Sequence, residues 1–175
     1  MFKRLAAITI VTATVVAGGA FAGVATATAA DTATTKSCAT GSWPSSVEGR
    51  PSAAKVGMTG VALWHDTTGW HLRASEAGLD RAVFVGTVST DGLLVSVRRH
   101  LEGGDVTLSP GPHRLVYRFT NYGGVDGIDF GALCGSTIKV AAVLDGHLVP
   151  ASHIVIGAGN THPTGQPIVI HRVAA

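Results

Sequence analysis

The sequence predicts an all-β protein, an antiparallel β-sandwich or, as the alternative, a small β-barrel. Short runs rich in Val, Ile, Thr and aromatic residues recur along the chain, as strands require. No segment beyond residue 30 keeps a 3.6-residue apolar period through three turns. Turn residues separate the runs at short intervals, and this spacing is typical of sandwiches and barrels.

Composition and length exclude several classes of protein. Of the 175 residues, 46% are hydrophobic and only 14% are charged, so a disordered chain, a coiled coil and a polybasic nucleic-acid binder are excluded. A (β/α)8 barrel is excluded because it needs about 250 residues. The length fits one domain with a hydrophobic core.

Residues 1–30 predict a secretory signal peptide. Lys3 and Arg4 precede a long apolar run, and small residues end it near Ala30. The alternative is a retained membrane anchor, which the many Ala, Thr and Gly residues make weak. We therefore expect a secreted protein without membrane association after cleavage. Removing Lys3 and Arg4 leaves 11 basic and 11 acidic residues, so no electrostatic case for binding nucleic acid remains.

Residues 31–55 predict an irregular lead-in that precedes a single β-rich domain over residues 56–175. Its sizeable apolar residues are Trp43 and Val47. Cys38 in this segment and Cys134 are the two cysteines of the chain, and in an oxidising compartment they most simply form one disulfide. The alternative, a catalytic thiol, is disfavoured outside the cell.

The domain that follows contains nine strand-like runs. They cover residues 61–65, 70–74, 82–88, 93–99, 106–108, 114–120, 137–144, 154–156 and 168–172. Asp91-Gly92 and Asp145-Gly146 each stand between two runs, where glycine tolerates the positive φ of a tight hairpin turn. We predict a hairpin at each of these pairs.

The densest set of chemistry-bearing side chains lies in the first predicted hairpin. If Asp66 to Gly69 form its turn, Trp64 faces His71 and shares one side of the hairpin with Arg73. The other side is apolar and predicts core. A Trp beside His and Arg can stack on a sugar ring while the polar groups bind its hydroxyls, so we predict a ligand face at Trp64, His71 and Arg73. The alternative is two packing tryptophans.

A second cluster runs from Asn121 to Phe130 and contains three glycines, which predict a structural turn. We expect Asn121, Tyr122 and Asp126 to contribute to the ligand face as a neighbouring loop. Asp126 and Asp129 can also hold Ca²⁺ together with Asn121, but the spacing does not match a Ca²⁺-binding helix–loop–helix loop.

The sequence predicts no catalytic residue, metal site or cofactor. None of the eight histidines stands in a His-x-His or His-Glu-x-x-His spacing, and no Gly-x-Ser-x-Gly motif occurs. A hydrolase or metal site assembled from distant His and Asp residues remains an alternative.

Several segments resemble a group of small secreted bacterial proteins of unknown function. The resemblance rests on residues 60–66, 69–73, 121–127, 162–163 and 167–172. It implies an independent exported domain and supplies no catalytic residue.

We therefore expect a secreted binding or structural module, with saccharide or cell-wall polymer as the first ligand class. The alternatives are a small secreted hydrolase and a protein-binding factor or inhibitor. The last would present the segment 157–167 to an extracellular protein.

Overall fold

The structure is a computed structural model that describes residues 38, 41–77, 81–159 and 167–174. Two β-sheets pack against each other, which confirms the predicted all-β sandwich. The predicted signal peptide and most of the segment 157–167 lie outside the described residues. No helix in the described part of the chain is long and apolar enough to cross a bilayer.

The described strands number eleven, five in the first sheet and six in the second. The first sheet contains β1 (Gly60–Asp66), β2 (Gly69–Glu76), β4 (Leu93–His100), β7 (Gly124–Leu133) and β10 (Ile154–Ile156), in the order β10-β1-β2-β7-β4. The second contains β3 (Ala82–Thr90), β5 (Gly104–Pro110), β6 (Arg114–Asn121), β8 (Thr137–Leu144), β9 (His147–Leu148) and β11 (Ile168–His171). Its order is β11-β8-β3-β6-β5, with β9 paired to β8. All pairs are antiparallel except β1 with β10.

The nine predicted runs fall on strands, apart from Arg172 at the end of the last run. The turn predicted at residues 121–130 is confined to Tyr122 and Gly123, where Gly123 has φ of 91°, and does not extend over the rest of the segment. Residues 124–133 form β7, a central strand between β2 and β4. Gly127 is required by close packing, since a Cβ there would lie 2.0 Å from the carbonyl oxygen of Leu72. Glycine therefore serves here to let strands approach, whereas the sequence pattern indicated a loop.

The two predicted hairpin turns have different outcomes. Asp145 and Gly146 have φ values of 46° and 84° and join β8 to β9, so this hairpin is confirmed. Asp91 and Gly92 join β3 to β4, which lie in different sheets, so the second hairpin prediction is wrong. Gly92 is needed for space, because a Cβ there would lie 2.2 Å from the carbonyl oxygen of Leu133.

The core lies between the sheets and includes two residues of the N-terminal segment. Trp43 and Val47 are buried in it, the latter within a short 3-10 helix, Ser45–Val47. A second cluster covers the outer side of the first sheet and contains Val56, which ends the four-residue helix α1 (Ala53–Val56). Cys38 and Cys134 are paired with a Cα–Cα separation of 3.9 Å, as the sequence predicts.

Candidate functional site

The candidate site is a row of side chains across the outer face of the first sheet. Residue pairing places Trp64 of β1 opposite His71 of β2, which is opposite Asp129 of β7, which in turn is opposite Arg98 of β4. These residues share one face because residues directly opposite each other on neighbouring strands point to the same side of the sheet. The pairing predicted for the first hairpin is confirmed, including Trp64 with His71.

Trp64 forms the inner end of this row and is buried, with 2% of its surface exposed. Its ring stacks on His71 at a centroid distance of 5.0 Å, and the guanidinium of Arg73 lies 5.3 Å from the ring centroid. Val56 and Val155 pack in the same cluster. The predicted exposed stacking surface is therefore wrong for Trp64, because Val56 of α1 and neighbouring side chains of the same sheet cover the ring.

His71 is the centre of a hydrogen-bond network. Its Nδ1 lies 2.7 Å from Oδ1 of Asp129. Its Nε2 lies 3.1 Å from Oδ1 of Asp66 and 3.1 Å from Oγ1 of Thr68. Thr68 also donates its backbone N–H and its hydroxyl to Oδ1 of Asp66, at 2.8 and 2.5 Å. The imidazole is thus fixed between two carboxylates.

The hydrogen bonds of Arg73 go to groups of the protein, and one of them holds Asp129 in the row. It donates from Nη2 to Asp129 at 2.7 Å and from Nη1 to the carbonyl oxygens of Leu72 and Ile128. The space above Gly127 accommodates its side chain, since a Cβ there would lie 2.9 Å from Cδ of Arg73. Only 7% of Arg73 is exposed, so its role is to orient Asp129.

Both carboxylates are held in their charged form. Burial favours the neutral form of Asp129, but hydrogen bonds and charges from Arg73 and His71 outweigh it and keep its pKa below the ordinary value. For Asp66, burial is likewise outweighed by hydrogen bonds from Thr68 and His71, so its pKa is lowered as well. The imidazole of His71 therefore lies between two carboxylates that keep their negative charge.

The row opens into a shallow cleft of about 310 Å³. Its lining residues are Thr68, His71, Ser96, Arg98, Asp129, Phe130 and Gly131.

Comparisons with protein-family models, curated proteins and solved structures found no match for this chain. The family resemblance stays a prediction.

The predicted loop contribution to the site is not present. Asn121 and Asp126 are fully buried, and Asp126 shares with Ile128 the face of β7 that is turned toward the other sheet. Asn121 donates to the carbonyl oxygens of Ala74 and Gly124, and Oδ1 of Asp126 accepts from the N–H of Glu102 at 2.8 Å. These residues stabilise the strand connections. Neither they nor Tyr122, which is 53% exposed, line the cleft.

The sequence does not predict Asp129, Arg98 or Ser96 as members of the ligand face. A Ca²⁺ site at Asp126 and Asp129 is ruled out, because residues three apart on a strand point to opposite faces. The signal that identifies Asp129 and Arg98 is strand alternation, once β7 is placed between β2 and β4. Among the described residues, no group of three or more His, Cys, Asp or Glu side chains is placed to hold a metal.

Proposed function

We propose that the protein is a secreted, non-catalytic binding module that takes saccharide or cell-wall polymer in the cleft beside His71. Support comes from polar groups that are positioned before any ligand arrives, which lowers the entropic cost of binding. The hydroxyls of Thr68 and Ser96 and the charged groups of the row border the same cleft. A polyhydroxylated ligand matches such a set of donors and acceptors.

The surroundings of His71 favour binding over hydrolysis. Thr68 is the hydroxyl within reach of His71 Nε2, at 3.1 Å, but it donates to Oδ1 of Asp66, which is closer at 2.5 Å. Nε2 also lies 3.1 Å from the same Asp66 oxygen, and Nδ1 lies 2.7 Å from the carboxylate of Asp129. Both ring nitrogens thus face carboxylates of the protein, so the imidazole is not placed to take a proton from a nucleophile. This observation carries the proposal.

A hydrolase is the second candidate, and another histidine favours it. His65 Nδ1 lies 3.2 Å from Glu48, which orients the ring, and the pair borders a separate cleft of about 410 Å³. Within the described ranges, His65 Nε2 makes no hydrogen bond to a hydroxyl. The pair thus has the orientation of a general base but no bound nucleophile, so we prefer a binding module.

The proposal is tested by closing the cleft. Purified protein with its disulfide formed is incubated with peptidoglycan and with insoluble polysaccharides, and the retained fraction is measured. Ser96→Trp places a large ring at an exposed position that lines the cleft, and Ser109→Trp places the same ring at an exposed position of β5 in the other sheet. We expect wild type and Ser109→Trp to be retained equally and Ser96→Trp to lose about tenfold, the effect of 1.4 kcal/mol.

Retention of Ser96→Trp at the wild-type level, or no retention of wild type on any polymer, contradicts the proposal. Circular dichroism and thermal unfolding show whether each variant is folded. Trp64→Ala is not a suitable probe, because removing a buried Trp costs about 3–5 kcal/mol of stability.

A further inference from the structure

One guanidinium lines the cleft without a hydrogen-bond or ion-pair partner among the described residues. Arg98 is exposed and lines the cleft, and its side chain makes no hydrogen bond or ion pair with another described residue. Arg73, the other arginine of this sheet face, is buried and bound to Asp129 and to two backbone carbonyls. Arg98 is thus free to contact a ligand.

Both carboxylates of the row are already engaged by other side chains. Asp66 and Asp129 each contact His71, and Arg73 pairs with Asp129 as well. The guanidinium of Arg98 therefore has no ion-pair partner among the described residues. An exposed guanidinium of this kind can bind an anion through its N–H donors.

The backbone of β4 is bent at the place that sets the position of Arg98. The register between β4 and β7 shifts between Val95 and Arg98, and Ser96 within this bulge has φ of 52°. A positive φ costs a residue with a side chain about 1–2 kcal/mol. Bulges commonly redirect a side chain beside a functional site, and this one returns Arg98 to the pairing position opposite Asp129.

We infer that the ligand carries an oxyanion, a carboxylate or a phosphodiester repeated along a polymer, and that Arg98 binds it. This inference rests on the proposed function, since it names the ligand class for the same cleft. A guanidinium presents paired N–H donors that match the two oxygens of a carboxylate or phosphate. Thr68 and Ser96 line the same cleft, where their hydroxyl oxygens can bind the neighbouring hydroxyl groups of such a polymer.

The test compares three soluble polymers: polygalacturonate, poly(glycerol phosphate) and neutral dextran. Affinities are measured by affinity electrophoresis for wild type, Arg98→Ala, Arg98→Lys and Arg99→Ala. Arg99 is the matched control, because it is exposed and adjacent but pairs with Ile128 and does not line the cleft. We expect at least one acidic polymer to bind at least tenfold more tightly than dextran, and added salt to weaken that binding.

Arg98→Ala should lower the affinity for the acidic polymer about tenfold, Arg98→Lys should retain part of it, and Arg99→Ala should stay within about twofold. The polymer preferred by wild type distinguishes carboxylate from phosphodiester. Equal losses in Arg98→Ala and Arg99→Ala overturn the inference, because they indicate general charge attraction. The inference is also overturned if dextran binds as tightly as the acidic polymers and Arg98→Ala does not change that binding. This outcome leaves the proposed function, a binding module, unaffected. No binding to any polymer contradicts both.

Discussion

At the scale of single residues, His71 holds the outer face of the first sheet together. It joins the turn of the first hairpin, through Asp66 and Thr68, to the central strand β7, through Asp129. Its side chain is only 12% exposed. Hydrogen bonds to carboxylates at this depth are costly to break, since the carboxylate that remains keeps its charge with less solvent to stabilise it.

Removing this imidazole should therefore destabilise the fold. We expect His71→Ala to lower the free energy of unfolding by about 2 kcal/mol, because it leaves two carboxylates without their shared donor. Urea unfolding followed by tryptophan fluorescence measures the change. His100→Ala is the matched control: His100 pairs with Glu102 at 3.0 Å in a more exposed position, so its loss should cost no more than about 0.5 kcal/mol. Equal effects of the two variants would contradict this role of His71.

Trp64 shows what sequence patterns predict about a residue and what they leave open. Strand alternation placed it correctly beside His71 and Arg73. Alternation assigns a face, but it does not show what lies on that face. The cover includes Val155 of β10, which is distant in sequence, and Val56 of α1, so the burial of Trp64 depends on tertiary packing.

At the scale of elements, the central strand β7 is the feature that the sequence conceals. Glycine weakens strands and favours turns in general, so Gly123, Gly124 and Gly127 indicated a loop. In the sheet, Gly127 instead leaves room for the carbonyl oxygen of Leu72 and for the side chain of Arg73. The need for that space exists only once β2 lies beside β7. Because the glycines indicated a loop, the site predicted from the sequence did not include Asp129, which β7 places beside His71.

The connection from β3 to β4 illustrates a second device at this scale. The carboxyl of Asp91 accepts hydrogen bonds from the backbone N–H groups of Ser136 and Thr137, each at 2.9 Å, and from the hydroxyl of Ser136. Burial alone would raise its pKa, but these bonds outweigh burial and lower the pKa to about 2. Asp91 thereby ties the crossing between the sheets to the start of β8.

This arrangement predicts a pH dependence of stability. Because the folded state lowers the pKa of Asp91 from 3.8 to about 2, its contribution is complete above pH 3.8 and is lost as pH falls through 2. The free energy of unfolding should fall between pH 4 and pH 2 more steeply in wild type than in Asp91→Asn, and the variant should be about 1 kcal/mol less stable at pH 7. Urea titrations at several pH values measure both quantities.

Asp66 and Asp129 also have lowered pKa values, so they add acid sensitivity to both proteins. The difference between wild type and Asp91→Asn therefore isolates Asp91. Identical slopes for the two proteins would show that the bonds to Ser136 and Thr137 do not lower this pKa.

At the scale of the whole molecule, the chain crosses repeatedly from one sheet to the other. β1 and β2 lie in one sheet, β3 in the other, β4 in the first again, and β5 and β6 in the second. Composition and strand propensity predicted two layers of β-structure. They did not predict this order, because each strand selects partners distant in sequence and short loops such as residues 91–92 permit either a hairpin or a crossing. The class of fold was accessible from the sequence, whereas the composition of the site depended on strand order.

The disulfide connects this arrangement to the start of the described chain. Cys38 precedes a segment in which Ser42 pairs with Val173 near the end of the chain, and Arg172 donates to the carbonyl oxygens of Gly41, Ala132 and Gly135. Cys134 lies between β7 and β8, next to these acceptors. The bond therefore fixes the start of the described domain to the connection between β7 and β8, over a sequence separation of 96.

A crosslink over so long a loop should stabilise the fold mainly by restricting the unfolded chain. We expect replacement of both cysteines by serine to lower the free energy of unfolding by about 4 kcal/mol, measured by urea unfolding of oxidised wild type and the double variant. Wild type reduced with dithiothreitol should match the double variant, and the reductant should leave the variant unchanged. A loss below about 1 kcal/mol would show that the contacts of Arg172 and the pairing of Ser42 with Val173 already hold the ends in place without the bond.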